Sequence, residues 1–365
     1  MVDQRGSARE RDNADRSDAE RRTADRPDAE RPNAERSGAA VPLRPARRIG
    51  AYGVLTDDAG RILLTRSSDR SDVAGTWYLP GGGIEHGEHP LEAVVREVAE
   101  ETGLQVEVAG LRTVVADVLE IPARGERLHT DRVLYDVRAT GGTLRDEPDG
   151  TTDLARWIGR EEAAGLPLMP FVADVLGLPA TPPQVTAEPP PTGTVPTGTV
   201  LAGPTLATPA GAPRGQRFAA YALATDPAGR VLLTRNTPGY PGGGHWHLPG
   251  GGTDHGESPA HGVLRELVEE TDQVGVVTEL AGVFSHRNPA ALGPEGYPMD
   301  WHAVGVLYRV FVAAPGTPCV MDVGGSTDAA DWFTLEQVTD LPITDAVAWA
   351  LRVTGIDGPA SPRVV

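Results

Sequence analysis

Apolar positions along the 365-residue chain change period in a fixed order, and they do so twice. In the first pass, Tyr52–Leu55 and Arg61–Thr65 are short apolar runs flanking Asp57-Asp58-Ala59-Gly60, a pattern that predicts a hairpin. Trp77–Leu79 reads as a short strand running into Pro80 and three glycines. Leu91, Val94, Val95 and Val98 then fall at helical spacing. Thr102-Gly103 ends that helix, glycine supplying the left-handed position after the last turn. Val106–Leu119 and Val133–Thr140 are β-branched stretches that predict strands, and Phe171–Leu176 a closing helix. The expected class is α+β, a mixed sheet with helices packed on it.

The second pass copies the first. Arg61-Ile-Leu-Leu-Thr-Arg66 returns as Arg230-Val-Leu-Leu-Thr-Arg235, an offset of 169 kept by Trp77 and Trp246 and by the two Leu-Pro-Gly-Gly-Gly runs. Across 75–102 against 244–271, 17 of 28 positions are identical. A repeat of this length implies a duplicated domain. We expect a tail at 1–48, domains at 49–178 and 215–356 joined by a linker at 179–214, and a short C-terminal tail at 357–365.

The tail carries Ala-(Asp/Glu)-Arg at a strict period of five from Ala14 to Ala34. Five matches neither helix nor strand, and too little is apolar to offset the entropy of ordering, so a disordered segment is expected. The linker repeats Pro-Thr-Gly-Thr-Val at Pro191–Val195 and Pro196–Val200, with Glu188 its only charge before Arg214. That composition gives an extended spacer.

Charge narrows the chemistry. The net charge is −18, and every basic residue is an arginine. Without lysine there is no P-loop and no Schiff-base or Ser–Lys chemistry. No basic stripe suits nucleic acid, and no apolar run suits a membrane span or a secretory leader. A lone Cys319 permits no intramolecular disulfide and is expected to be a small apolar filler. A cytoplasmic protein is expected, and any phosphate it handles needs a divalent cation to offset repulsion.

Glu97, Glu100 and Glu101 stand at i, i+3 and i+4 of the helix, on a face distinct from the apolar one. Three acids so placed repel one another, and the single nearby Arg96 is better used in pairing with Glu88. A hard cation with oxygen ligands would satisfy them. Glu266, Glu269, Glu270, Arg265 and Glu257 repeat the arrangement.

The run Gly82-x5-Glu88-x7-Arg96-Glu97-Val98-x-Glu100-Glu101-x-Gly103-Leu104 resembles a complete Nudix box, of the MutT-like kind. Gly251-x5-Glu257-x7-Arg265-Glu266-Leu267-x-Glu269-Glu270 is similar, but Asp272 and Gln273 stand where the family has glycine and an aliphatic residue. The resemblance implies two α/β/α-sandwich Nudix domains that hydrolyse a nucleoside diphosphate linked to another group, with Mg²⁺ or Mn²⁺. It implies metal ligation by Glu97, Glu100, Glu101 and the Gly81 carbonyl, and by Glu266, Glu269, Glu270 and the Gly250 carbonyl. Arg96 and Arg265 would orient the acids, with Glu97 and Glu266 central to catalysis, while Glu88 and Glu257 complete ion pairs. Asp272 is expected to shift its helix end without losing the site.

The general base varies in this family. Glu120, Glu126 and Glu147 are candidates in the first copy, Glu295 and Asp322 in the second; Glu147 and Asp322 each precede a tryptophan by ten residues. Trp77, Trp246, His129 and His302 are candidates for contacting substrate, with Trp stacking on a base and His on a base or phosphate. Nucleoside triphosphates or related nucleotides are the expected substrates. The alternative is that only the first copy turns over and the second is a nucleotide-binding sensor or assembly module. The two copies could also pack as an intramolecular pseudo-dimer.

Overall fold

The structure is a computed structural model that describes residues 42–147, 150–179, 213–240, 242–292, 298–322 and 324–356. The expectations for the 1–41 part of the tail, for nearly all of the linker, for 357–365 and for Glu295 lie outside these residues.

In the first copy, β1 (Arg44–Val54) runs parallel to β6 (Glu126–Gly142), which pairs antiparallel with β5 (Leu104–Ile121). β4 (Gly81–Gly83) closes the other edge of β1, Tyr52 facing Gly81 and Gly50 facing Gly83. β2 (Ile62–Ser67), β3 (Trp77–Tyr78) and β7 (Thr152–Ile158) form a separate sheet. The turn expected after Leu55 is present, with the Asp57 N–H donating to the Arg61 carbonyl, and the hairpin it makes is confined to its tip. The Leu63 N–H donates to the Leu55 carbonyl at 3.1 Å around the antiparallel Thr56–Ile62 bridge, and beyond it the strands diverge into the two sheets. α1 (Pro90–Thr102) packs its buried Val94 and Val98 against β1 and β5, and α2 (Arg160–Ala163) and α3 (Pro170–Leu176) follow β7.

The second copy repeats this order as β8 (Arg214–Thr225), β9 (Val231–Asn236), β10 (Trp246–His247), β11 (Gly250–Gly252), α4 (Pro259–Thr271), β12 (Val276–Leu292), β13 (Pro298–Phe311), β14 (Thr327–Phe333), α5 (Leu335–Val338) and α6 (Asp345–Val353). Here Thr225 pairs with Val231, so the strands count as one seven-stranded sheet. The copies touch. One continuous buried cluster contains Ile49, Val94 and Val98 together with Phe218, Val263 and Val304. No helix among the described residues is long and apolar enough to cross a membrane.

α1 and α4 end at equivalent positions. Gly103 caps α1 at φ 72°, and Asp272 caps α4 at φ 56°, its N–H reaching the Val268 carbonyl as Gly103 reaches that of Ala99. The expected shift of the second helix end does not occur. Asp tolerates the left-handed conformation at a cost of about 1 kcal/mol, less than unwinding a turn. Gln273 replaces a leucine without leaving its amide stranded: Nε2 donates to the Thr271 carbonyl and Oε1 accepts from the Gly316 N–H. Cys319 is exposed, not the apolar filler expected.

Candidate active sites

Each site is built where a glycine strand, β4 or β11, lies against the acid face of a helix. Gly81 has φ 147°, and a Cβ there would strike the Tyr52 backbone, so only glycine lets β4 close on β1. A Cβ on Gly82 would fall within 3.0 Å of both Glu97 carboxylate oxygens, and one on Gly251 would meet those of Glu266 at 2.7 and 3.0 Å. The second glycine of each run is therefore the seat of the box glutamate.

Arg96 organises the first site. Its Nε and Nη2 donate to the two Glu88 oxygens at 2.8 and 2.9 Å, and Nη2 also reaches the Gly83 carbonyl at 3.0 Å. Nη1 donates to Glu97 at 2.8 Å and to Glu100 at 3.2 Å. Arg265 repeats every contact, with Glu257 at 2.9 and 3.0 Å, Gly252 at 3.1 Å, Glu266 at 3.1 Å and Glu269 at 2.9 Å. Each arginine thus pairs with its box partner acid and also grips two of the helix acids at once. The third acid is anchored separately, Glu101 by the Gly81 N–H at 3.0 Å and Glu270 by the Gly250 N–H at 2.9 Å.

Exposure grades the acids the same way in both copies. Glu97 and Glu266 side chains are each 16% exposed, whereas Glu100 and Glu269 are 53% and 46% exposed. Glu101 and Glu270 are buried. Burial pushes the Glu101 carboxyl well above the usual carboxylate range, helped by the nearby charges of Glu97 and Glu147. The same causes, with Glu266 and Asp322 as the charges, push Glu270 up to about 7. Burial also raises Glu97 and Glu266 despite the arginines beside them. Each site thus gathers acids whose ionised forms are disfavoured by burial and by one another. As placed, the three acids do not converge on a point, and no cluster of three acidic, His or Cys side chains among the described residues is gathered to hold an ion.

Glu147 and Asp322 lie within electrostatic reach of the buried acid of their own copy. Glu147 Oε2 accepts from the Thr152 N–H at 3.2 Å and hydroxyl at 2.9 Å, while the Asp322 N–H donates to the Glu269 carbonyl. The other base candidates sit elsewhere, Glu126 buried under Arg44 and Glu120 exposed beside Arg127. Trp77 is buried in the core of its copy with Tyr52, Leu79 and Phe171, and Trp246 packs edge-on against Phe333 at 4.7 Å. His129 and His302 are fully buried where the two copies meet. The expected contact with a base or phosphate has no exposed surface to form on, and each imidazole instead faces the other copy's glycine loop.

Sequence reasoning missed Arg48 and Arg217. Arg48 offsets the charge of Glu97 and Glu101, and Arg217 that of Glu266. Arg48 Nε is buried without a hydrogen-bond partner among the described residues, and the Arg217 guanidinium lies over Gly252. The available signal was that both arginines keep the 169-residue offset.

A NUDIX domain profile matches residues 46–176 and 215–353. A MutT-like protein of Streptomyces ambofaciens is 32% identical over 120 residues, covering 33% of this chain and 69% of that protein. The 8-oxo-dGDP phosphatase of Mus musculus is 34% identical over 147 residues (38% of this chain, 42% of that one), and the ADP-ribose pyrophosphatase of Methanocaldococcus jannaschii 35% over 107 (29% and 59%). The matched part thus spans less than two thirds of these last two relatives. The crystal structure of a MutT Nudix protein from Burkholderia pseudomallei aligns with 38% of this chain and 96% of its own, at 29% identity and a TM-score of 0.31. With both sites built on the same box and both halves matched, the chain belongs to the NUDIX family and carries two such domains in tandem.

Proposed function

We propose that both domains hydrolyse a nucleoside diphosphate linked to another group, nucleoside triphosphates or related nucleotides foremost. The observation that carries this reading is the contact-for-contact repetition of the arginine-held acids, Arg96 with Glu88, Glu97 and Glu100 and Arg265 with Glu257, Glu266 and Glu269. Relatives named as an 8-oxo-dGDP phosphatase and an ADP-ribose pyrophosphatase support a nucleotide substrate.

The donor set fits a hard divalent cation, Mg²⁺ or Mn²⁺: three carboxylates, two of them desolvated, whose ionised forms burial and mutual repulsion disfavour despite Arg96 and Arg48. Glu97, Glu100, Glu101 and the Gly81 carbonyl would hold it in the first domain; Glu266, Glu269, Glu270 and the Gly250 carbonyl would hold it in the second. When bound, such an ion neutralises diphosphate oxygens and makes water a better nucleophile. The protein's own residues do the rest. Arg96 and Arg265 fix the acids in register through charge-assisted hydrogen bonds. Arg48 and Arg217 offer guanidinium groups to substrate phosphate. As water oxygen bonds to phosphorus and the bridging P–O bond breaks, the water's proton passes to a carboxylate, Glu147 in the first domain and Asp322 in the second. In solution the two domains remain docked as a pseudo-dimer, and scattering showing two independent globules would refute that part.

Glu97→Gln and Glu266→Gln variants of the full chain, assayed over a nucleotide panel with Mg²⁺, test the reading. Each single variant is expected to lose about half of the turnover and the double variant nearly all of it, by about 10²-fold or more. Full activity in the Glu266 variant would instead make the second domain a sensor.

A further inference from the structure

The tip of each glycine loop is bonded to the opposite domain. The Gly87 N–H donates to His302 Nδ1 at 3.1 Å, and the Gly256 N–H donates to His129 Nδ1 at 2.7 Å. Both glycines need positive φ, 86° and 91°, so the chain turns sharply at these points and presents its N–H outward. Both imidazoles are 0% exposed, and each is held by its own domain so that Nδ1 stays an acceptor. His129 Nε2 faces Asp131 Oδ1 at 3.1 Å, and His302 Nε2 faces the Ser285 hydroxyl at 2.8 Å. A hydrogen on Nε2 in each ring satisfies both contacts and leaves Nδ1 to accept, from the loop in His129 and from both the loop and the Gln216 amide, at 3.0 Å, in His302.

Further bonds brace the same loops from across the boundary. Arg47, paired with Asp131 at 3.1 Å, donates to the carbonyl and hydroxyl of Thr253, and His255 Nε2 meets the Arg127 carbonyl at 2.9 Å. Reciprocally, His86 Nε2 lies 3.2 Å from Asp300 Oδ1, and the imidazoles stack edge-on at 5.5 Å in both places. The residue after each tip glycine is the box acid, Glu88 or Glu257, whose carboxylate holds Arg96 or Arg265 and, through it, the site glutamates. A bond to the tip therefore acts one residue away from the acid that holds the arginine setting the register of the site glutamates.

We propose that His302 and His129 are positioning residues acting across the domain boundary: each fixes the glycine loop, and hence the arginine-held acids, of the domain it does not belong to. The inference rests on the hydrolytic reading above for its kinetic consequence but not for its structural one.

The test uses the full chain. With the second site silenced by Glu266→Gln, adding His302→Ala removes a residue of the silent domain, yet we expect the first site's kcat to fall by about tenfold or more with KM moving less than about threefold. His302→Asn, whose Oδ1 can accept in place of Nδ1, should restore most of the loss. His129→Ala in a Glu97→Gln background should do the same to the second site. Backbone hydrogen exchange, measured without metal or nucleotide, should be faster in the 84–89 loop of the His302→Ala variant and unchanged within α1. Unchanged exchange of that loop, or equal loss in the alanine and asparagine variants, would overturn the proposal. Should the Glu97→Gln/Glu266→Gln double variant keep full turnover, the hydrolytic reading fails, and the exchange experiment still decides the positioning role.

Discussion

Arg96 meets Glu88 through two parallel bonds, Nε to Oε1 at 2.8 Å and Nη2 to Oε2 at 2.9 Å, while its remaining nitrogen holds Glu97 and Glu100. The pairing draws the arginine well above its ordinary pKa, with Glu88 the largest cause, so the guanidinium is charged at every accessible pH. A planar fork can serve three acids at fixed angles, and an ammonium cannot. Arg96→Lys should therefore lose first-site turnover by about 10²-fold, nearly as much as Arg96→Ala. Chemical denaturation should show a smaller cost, about 1–2 kcal/mol for the alanine variant, because the Arg96 side chain is 27% exposed and water screens part of the loss.

Gly82→Ala separates activity from stability. The atoms its Cβ would meet belong to the far end of the Glu97 side chain, which can swing away without moving backbone. Melting temperature should stay within a few degrees of wild type, a change of about 1 kcal/mol or less. First-site kcat should collapse by about 10²-fold, since the displaced carboxylate is the one Arg96 positions. A loss of stability as large as the loss of activity would show that the seat of Glu97 is rigid.

The acid helices were legible from sequence because their signal is local. Leu91, Val94 and Val98 repeat at helical spacing, Thr102-Gly103 stops the run, and the acids fall on another face by arithmetic alone. What was not legible depends on partners distant in sequence. His129 and His302 carry no periodic signal that separates a ligand contact from an interface contact; their role follows from loops 127 and 215 residues away. The hairpin expected at Asp57–Gly60 has the right turn chemistry, but a turn does not dictate to which sheet the two strands belong. Arg48 was passed over because one arginine at a strand position reads as surface until Glu97 and Glu101 are brought beside it.

Asp272 and Gly103 occupy the same left-handed position with different surroundings. A Cβ on Gly103 would lie 2.6 Å from Arg145 Cγ and 2.7 Å from the Thr143 carbonyl, which is backbone and cannot step aside. Gly103→Asp should therefore cost about 2 kcal/mol or more, combining the clash with left-handed strain. Asp272→Gly relieves only the strain and gives back part of the gain as unfolded-chain entropy, so it should stabilise by about 0.5 kcal/mol. Urea midpoints of the two variants against the parent check the asymmetry; equal and opposite shifts would contradict it.

Acid should loosen the domain boundary through His302. Burial, reinforced by the charges of His86 and Arg287, lowers its pKa from 6.5 to about 4, against the opposing pull of Asp300 and Glu88. A histidine depressed in this way adds stability that is complete above pH 6.5 and is lost as pH falls through about 4. Protonation also places a hydrogen on Nδ1, the atom that accepts from Gly87, so the bond itself cannot survive it. Denaturant titrations of the full chain should lose on the order of 2 kcal/mol between pH 7 and pH 4 from this group. His247, also held near 4 by burial, contributes a slope of the same sign, so the informative quantity is the difference between wild type and His302→Asn. That difference should shrink as pH drops from 6.5 toward 4, because asparagine keeps an acceptor and has nothing to protonate. A difference that stays constant over this range would mean that His302 is not held neutral by its burial between the domains.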